Sequence, residues 1–291
     1  MSTLGRLMPF IIGLRGSKRL FSSAERTLAR VAKHRLRPKS FAPPRSLKNV
    51  SVRFEAGWPV YDVGVTSAPR RALYLHGGAN IYEIAPQHWS LVGKLAPGAS
   101  ALISVAIYPL APEGTAGPLT EAAADLVAAM IREVGAQNVT ILGDSAGGGM
   151  ALATAMVLRD RGEPGVGVVM ISPSLDLSLS DPDVIATAKI DPWLDIPGAR
   201  AASVLYRGDL PVEHPQVSAL NGSLDGLGDL QVFTGTLDML NPDARRLRAK
   251  AADAHHALEF HEAEGMIHVY PILPIPEAAV ARQQIIAFMT R

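Results

Sequence analysis

The chain has 291 residues, of which 48% are hydrophobic and 19% are charged, with a net charge of +1 and no cysteine. This composition is typical of a globular protein with a sizeable core and excludes collagen-like or fully disordered chains. The lack of cysteine excludes disulfides, thiolate metal sites and a cysteine nucleophile, so any chemistry must come from oxygen and nitrogen side chains.

The charge is distributed unevenly along the chain. Residues 1–50 contain twelve Lys and Arg but only one acid, Glu25, which gives this segment +11 and leaves −10 for the other 241 residues. A solvated helix face is the favoured interpretation, and a surface that touches anionic lipid or gathers acidic substrates stays open. No nucleic-acid partner is expected, because aromatic residues are not interleaved with the basic ones.

The first apolar stretch, LMPFIIGL over residues 7–14, is too short to cross a bilayer, which takes about twenty apolar residues. Basic residues follow it directly and no A-x-A-like cleavage site appears, so a cleaved signal peptide is not expected. We expect a cytoplasmic protein, monomeric or homodimeric, and a weak peripheral membrane contact through residues 1–40 stays open.

A basic helix is predicted next. The motif SSAE over residues 22–25 predicts a capping box, and the helix that it opens runs to about residue 35. Its predicted apolar face consists of Leu28, Val31, Ala32 and Leu36. Its predicted basic face consists of Arg26, Arg30, Lys33 and Arg37. The Arg37-Pro38 pair should end this helix, and the prolines at 43 and 44 should begin a linker.

From residue 49 onward, apolar β-branched runs alternate with helical patterns, which predicts a mostly parallel sheet covered by helices on both faces. The predicted strands span residues 50–54, 59–65, 72–75, 101–106, 139–142, 166–171, 230–233 and 258–262. The predicted helices span residues 120–134, 146–161, 242–254 and 276–289. The first two strands are close enough in sequence to pair antiparallel, whereas crossover helices separate the later ones.

Residues 178–225 interrupt this alternation, since they are rich in Asp, Pro, Gly and Ser. One helical piece is predicted near residues 198–206. A segment of this length without a regular pattern indicates an insertion or a lid.

The motif HGGA over residues 76–79 directly follows a predicted strand. Because glycine has no side chain, its backbone N–H group can approach a developing oxyanion closely. We therefore assign the oxyanion-hole donors to the backbone of Gly77, Gly78 and, further along the chain, Ala146. His76 is expected to support the loop by hydrogen bonding rather than to act as a base.

The motif GDSAG over residues 143–147 matches G-x-S-x-G, in which a strained turn between a strand and a helix exposes a serine. A predicted strand leads into the motif and an apolar helix leads out of it. Gly143 and Gly147 leave room where strand and helix meet, and Asp144 is expected to support the loop. Ser145 is the candidate nucleophile, and the helix N-terminus beside it favours developing negative charge.

A serine nucleophile needs a histidine to take its proton and an acid to orient that histidine. Five histidines follow Ser145, and of these His268 lies in the loop after a predicted strand. Asp238 holds the equivalent position after the preceding predicted strand, so all three should meet at the carboxyl edge of the sheet. Asp243 is the runner-up acid, but its place at a helix start favours a first-turn charge.

The histidine-rich C-terminal part allows a second interpretation, a metal site. Its ligands would be His255, His256, His261 and His268. No H-E-x-x-H spacing occurs, and strand alternation puts Glu262 on the face opposite to His261, so no metal is expected.

Five motifs together carry a resemblance to a known family: HGG, YPLAPE over residues 108–113, GDSAGG, the Asp238 loop, and GMIH over 265–268. They resemble the hormone-sensitive-lipase-like family of α/β-hydrolases, from about residue 50 to the end. The resemblance implies an eight-stranded α/β-hydrolase domain over residues 49–291. It also implies a helical cap formed by residues 1–48 and an insertion at about 180–222, with the run over 7–14 as a wall of the acyl pocket.

The chain departs from this family at three places. Ala79 replaces the usual third glycine, and Pro109 stands where an arginine is usual. The segment GTAGP over residues 114–118 replaces the usual continuation after the APE motif. None of these changes removes a catalytic group, but they weaken any inference about the substrate.

The resemblance implies a serine carboxylesterase that hydrolyses short to medium acyl esters of small molecules without a cofactor. The same site could instead hydrolyse lactones or aryl formamides. Two further hypotheses are a lipase that acts at a membrane surface and a non-catalytic ligand receptor on the same fold. The receptor is disfavoured because serine, histidine and acid are all present.

Overall fold

The computed structural model describes residues 1–14, 16–36, 41–55 and 57–291. The predicted helix stop at Arg37-Pro38 and the place of Arg37 on a basic helix face lie outside these residues.

Within the described ranges, eight strands form one sheet in the order β1-β2-β4-β3-β5-β6-β7-β8. Strand β2 pairs antiparallel with β1 and with β4, and the other neighbours are parallel. This confirms the predicted mostly parallel sheet. The strands are β1 (Val50–Glu55), β2 (Trp58–Val63), β3 (Arg70–Leu75), β4 (Ala101–Ala106), β5 (Val139–Asp144), β6 (Gly167–Ile171), β7 (Leu230–Gly235) and β8 (Leu258–Ala263).

Helices cover both faces of the sheet. They are α1 (Thr3–Leu14), α2 (Lys18–Phe21), α3 (Ala24–Leu36), α4 (Pro86–Gly98), α5 (Ala116–Val134), α6 (Ala146–Asp160), α7 (Pro182–Ala188), α8 (Ile196–Arg207), α9 (Asn241–Asp253) and α10 (Pro276–Met289). Side chains alternate along each strand, so Leu73 and Leu75 face a core shared with α5, α6 and α9, whereas Ala72 and Tyr74 face one shared with α4 and α10.

The N-terminal helices α1–α3 differ from their prediction. Helix α1 starts at Thr3, before the apolar stretch, and ends with it at Leu14. Helix α3 begins one residue later than the capping box implied, and Ser23 Oγ accepts the Arg26 N–H (3.2 Å). The buried residues of α3 are Thr27 and Val31, so Val31 of the predicted apolar face is buried as expected, whereas Leu28, Ala32 and Leu36 are exposed. Among the described helices, none is long and apolar enough to span a membrane.

Helix α3 is oriented by its contact with α8, which explains the buried face. A Cβ atom at Gly198 of α8 would collide with Phe21 Cα and Thr27 Oγ1, so the two helices approach at this glycine. The Thr27 hydroxyl donates to the Leu20 carbonyl (2.7 Å). The Lys18 ammonium reaches the C-terminal end of α7, where it donates to the carbonyls of Ala188 (2.5 Å) and Asp191 (2.8 Å).

Candidate active site

Ser145 lies in a strained turn between β5 and α6. Its backbone has φ 53° and ψ −122°, which a non-glycine residue rarely adopts. A Cβ atom at Gly143 would collide with the Gly147 backbone, and one at Gly147 would collide with the Leu75 carbonyl. Only glycine fits at these two positions, because strand β3, strand β5 and helix α6 meet there.

The structure brings Ser145, His268 and Asp238 together at the carboxyl edge of the sheet. His268 Nε2 lies 2.9 Å from Ser145 Oγ, and His268 Nδ1 lies 2.9 Å from Asp238 Oδ2. The strands that precede these residues are neighbours in register, since β5 pairs with β6, β6 with β7, which precedes Asp238, and β7 with β8, which precedes His268. The runner-up acid Asp243 is instead buried in the first turn of α9, where Arg246 donates to it (2.8 Å).

His268 is buried among carboxylates. Burial by itself lowers the pKa of His268, but the charge of Asp238 and its hydrogen bond, together with Asp191 and Asp144, raise the pKa above its usual value of 6.5. Trp193 packs against His268, with the two ring centroids 5.9 Å apart and the ring planes nearly perpendicular. The environment therefore stabilises a protonated imidazolium.

Asp191 is a second buried carboxylate near His268, and no sequence pattern pointed to it. Asp191 Oδ1 accepts the N–H groups of Trp193 (2.7 Å) and Leu194 (2.9 Å), and Oδ2 accepts the Met239 N–H (2.8 Å). It thus ties the insertion to the loop that carries Asp238. Burial and the charge of Asp238 raise the pKa of Asp191.

The assignment of Gly77 as an oxyanion donor is wrong in this structure. Its N–H group donates to Asp144 Oδ1 (2.9 Å), so it is already engaged. Within the described residues, the N–H groups of Gly78, Ala79 and Ala146 donate to no protein acceptor. Ala79 adopts φ 53°, the left-handed region that glycine favours, which accounts for the glycine usual at this position.

Asp144 supports the loop over residues 76–79 through its hydrogen bonds. Its Oδ1 also accepts the Tyr74 hydroxyl (2.5 Å), and its Oδ2 lies 3.3 Å from His88 Nε2. Burial alone would raise the pKa of Asp144, but His88 and the hydrogen bonds lower it below the usual value. No sequence pattern indicated that Tyr74 and His88 contact Asp144. Tyr74 lies in a predicted strand, but His88 lies in helix α4, which was not predicted.

His76 lies inside the same loop. Its Nδ1 donates to the Gly77 carbonyl (2.7 Å), and its ring stacks on Tyr108 at 4.4 Å. The Tyr108 hydroxyl donates to the His76 carbonyl (2.5 Å). Burial lowers the pKa of His76 to about 4, so it stays neutral at physiological pH. These contacts hold the loop and do not reach Ser145.

The four histidines considered as metal ligands have separate partners. His261 stacks on Phe233 at 4.6 Å, and His256 Nε2 donates to the Gly228 carbonyl (3.1 Å). His255 pairs with its own helix at the Ala252 carbonyl (3.1 Å). Across the described ranges, no three His, Asp or Glu side chains are grouped as metal ligands.

Two clefts meet at Ser145. The first, named the α6–α8 cleft, lies between these two helices and is lined by Asn80, Ala146, Met150, Ala202, Ser203 and Tyr206. The second, named the His268 cleft, is lined by Gly77, Gly78, Trp193 and His268. Met8, Ile11 and Ile12 of α1 line the His268 cleft, so the apolar run over 7–14 is a wall of the cleft that contains the histidine.

Comparison with known proteins identifies related sequences. A family model described as the α/β hydrolase fold matches residues 72–272. The chain is 36% identical to a triacylglycerol lipase of Mycobacterium tuberculosis over 68% of its length, although the match spans only 41% of that lipase. It is 34% identical to an acetyl-hydrolase of Streptomyces hygroscopicus over 72% of this chain and 73% of that protein.

Solved structures share the fold. The chain superposes on a Staphylococcus aureus protein with a TM-score of 0.87 and 27% identity, over 93% of this chain and 94% of that one. It superposes on a hormone-sensitive lipase from a metagenome library with a TM-score of 0.83 and 24% identity, over 98% of each chain. These matches confirm the fold that the motifs predicted.

Proposed function

The chain belongs to the α/β-hydrolase fold family, and from this premise we propose that it is a serine carboxylesterase acting on short to medium acyl esters. The proposal rests on two contacts of 2.9 Å each. One joins Ser145 Oγ to His268 Nε2, and the other joins His268 Nδ1 to Asp238 Oδ2. These distances are those at which a general base takes the proton of a nucleophile. The lipase and acetyl-hydrolase relatives support the same reaction class.

In the first half of the reaction, His268 Nε2 takes the hydroxyl proton as Ser145 Oγ attacks the acyl carbonyl carbon. Asp238 accepts the Nδ1–H, fixes the tautomer and stabilises the imidazolium. The carbonyl oxygen becomes negatively charged and needs N–H donors that no other group occupies. The donors proposed for it are the backbone N–H groups of Gly78, Ala79 and Ala146.

At the end of the first half, the carbonyl forms again, the ester C–O bond breaks and the alcohol leaves with the proton from His268 Nε2, so the alcohol must lie in the His268 cleft. The α6–α8 cleft then receives the acyl chain, so this proposal places the run over 7–14 beside the alcohol and not, as expected from the resemblance, beside the acyl chain. In the second half, water attacks the acyl-enzyme with His268 again as base. This step releases the acid and restores the Ser145 hydroxyl.

We further propose that residues 1–48 and about 180–222 form a cap over this site. Support comes from the approach of α3 to α8 at Gly198 and from the hydrogen bonds of Lys18 to the insertion. Phe21 of the N-terminal part and Leu194 of the insertion both line the α6–α8 cleft. The cap would bound the length of acyl chain that the cleft admits.

The test of the proposal is the variant Ser145→Ala. Its turnover of p-nitrophenyl butanoate should fall by about 10⁶-fold, since removal of the nucleophile disables the whole triad. A fluorophosphonate probe should label the wild type and fail to label the variant. Near-wild-type turnover in Ser145→Ala would refute the proposal, as would a wild type that neither reacts with the probe nor hydrolyses esters.

A second candidate function is hydrolysis of lipid esters at a membrane surface. The observation that favours it is an apolar stripe on the outer side of α1, where Leu7, Phe10 and Leu14 are 49%, 66% and 72% exposed. The inner side of the same helix lines the His268 cleft. A membrane bound by this stripe would lie beside the opening of the cleft, and the basic charge of residues 1–50 would favour anionic lipid.

A further inference from the structure

The α6–α8 cleft contains two buried polar side chains that form no hydrogen bond of normal geometry. Asn80 is 2% exposed and Tyr206 is 4% exposed, and both line the cleft next to Ser145. Across the described part of the chain, neither polar atom of the Asn80 amide forms a hydrogen bond of normal geometry, nor does the Tyr206 hydroxyl. Polar groups buried without partners are unfavourable, so native structures rarely retain them without a role.

The two side chains lie close to each other but do not satisfy each other. Burial raises the pKa of Tyr206, and a hydrogen-bonding interaction of its hydroxyl with the Asn80 amide, outside normal hydrogen-bond geometry, lowers it in part. Tyr206 therefore stays protonated and can both donate and accept. Even if the hydroxyl turned toward Asn80, it would pair with only one of the two polar atoms of the amide, which leaves the other for a ligand.

The position of the pair is fixed from both sides of the cleft. Asn80 follows the oxyanion loop directly, and its backbone carbonyl accepts the Ala111 N–H (2.7 Å). Tyr206 lies near the end of α8 in the proposed cap. A third polar residue of the same wall, Ser203, is already satisfied, because its hydroxyl donates to the Ala199 carbonyl (3.0 Å). The remainder of the wall is mostly apolar apart from Ser145 and the half-buried Ser174, so Asn80 and Tyr206 are its buried polar side chains without a normal hydrogen bond among the described residues.

We propose that the α6–α8 cleft selects acyl groups that carry a hydroxyl or carbonyl group beyond the reacting carbonyl, and that Asn80 and Tyr206 bind this group. The inference rests on the proposed esterase function and names its substrate class: esters of short hydroxy and oxo acids. A substrate hydroxyl can donate to the Asn80 oxygen and accept from its nitrogen or from Tyr206. An unsubstituted acyl chain would leave these groups unpaired, and sites of this kind reject analogues that lack the polar group.

The experiment compares kcat/KM for ethyl butanoate, ethyl 3-hydroxybutanoate and ethyl 3-oxobutanoate by following acid release. The wild type should prefer a substituted ester by about tenfold or more, the effect of one to two buried hydrogen bonds. Tyr206→Phe and Asn80→Gly should each reduce this preference severalfold. Glycine is chosen because Asn80 has φ 58°, which glycine adopts without strain.

The matched control is Ser203→Ala, which removes a satisfied hydroxyl from the same wall and should keep the wild-type preference. Thermal unfolding checks that each variant is folded, and the preference is a ratio that a general loss of active protein does not change. Ester hydrolysis with the same preference in the wild type, Tyr206→Phe and Asn80→Gly would overturn the inference and leave the esterase proposal intact. A wild type that hydrolyses none of the three esters would contradict both.

Discussion

His268 and the carboxylates around it determine how activity should depend on pH. Only the neutral ring can accept the Ser145 proton, and the neighbouring charges raise its pKa above 6.5. Activity should therefore be present above this pKa and be lost as the pH falls through it. Asp191 contributes to the raised pKa although it does not contact the ring nitrogens, since its oxygens accept three backbone N–H groups.

We predict that the acid limb of kcat/KM has its midpoint above pH 6.5 in the wild type. Asp191→Asn removes one of the charges that favour the imidazolium, so the midpoint should move to lower pH, by up to about one unit. The control is Asp160→Asn, which removes an exposed carboxylate at the end of α6. The measurement is kcat/KM from pH 5 to 9, and equal midpoints in the wild type and Asp191→Asn would show that Asp191 has only a structural role.

At the level of residues, the sequence predicted what short motifs encode and missed what tertiary contacts create. Ser145 and His268 follow strands within recognisable motifs, so their meeting at one sheet edge could be expected. Asp191 lies in the irregular insertion, where no periodic pattern marks a carboxylate that folds back on Asp238. The hydrogen bond from the Gly77 N–H to Asp144 depends on how closely the loop packs against the end of β5, which no motif specifies.

At the scale of elements, α1 is a helix with apolar residues on both sides. Its inner residues line the His268 cleft, and its outer stripe of Leu7, Phe10 and Leu14 faces solvent. Exposed apolar residues that form a continuous stripe indicate a binding surface more often than single ones do. The excess of Lys and Arg in residues 1–50 makes an anionic membrane the matching partner.

We predict that the wild type floats with vesicles containing anionic phosphatidylglycerol and that the double variant Leu7→Ser/Phe10→Ser does not. Binding should weaken between 50 and 500 mM salt, because screening reduces the attraction of basic residues to anionic lipid. The control Leu36→Ser changes an exposed leucine of α3 that lies outside the stripe and should float like the wild type. Equal flotation of the wild type and the double variant would contradict a role of α1.

The elements themselves were predictable to different degrees. All eight predicted strands occur in the sheet. Strands such as β4, β5 and β7 are buried on both faces and have nearly continuous apolar sequences, whereas β1 is largely exposed and its apolar residues alternate with polar ones. Helix α4 was missed because Pro86, Gly93, Pro97 and Gly98 interrupt its apolar spacing, although Trp89 and its neighbours bury against the sheet. The orientation of α3 could not be predicted either, because its contact with α8 buries Thr27 beside Val31 and leaves the apolar Leu28 and Leu36 exposed.

At the scale of the whole molecule, the N-terminal helices connect the insertion to the catalytic sheet. Helix α3 contacts α8, and α1 contacts α10, where the Ser2 hydroxyl donates to Glu277 (3.0 Å). Helix α8 in turn carries residues of the α6–α8 cleft. A change at the contact of α3 with α8 should therefore alter both the stability of the protein and the shape of the site.

The variant Gly198→Ala tests this coupling. Its Cβ would collide with the backbone at Phe21 and with Thr27 Oγ1, so α8 must move away from α3. We expect the free energy of unfolding to fall by about 1–3 kcal/mol, as for other overpacked sites, and kcat/KM for ethyl butanoate to fall with it. The measurements are urea-induced unfolding and steady-state kinetics on the full chain.

The matched control is Gly13→Ala in α1, where an added Cβ has no atom within 4 Å. Because alanine favours the helix over glycine by about 0.5–1 kcal/mol, this variant should be as stable as the wild type or slightly more stable. If both variants unfolded at the same urea concentration and kept wild-type kinetics, α3 and α8 would not be coupled. If Gly198→Ala lost stability but kept its activity, the contact would hold the helices together without shaping the cleft.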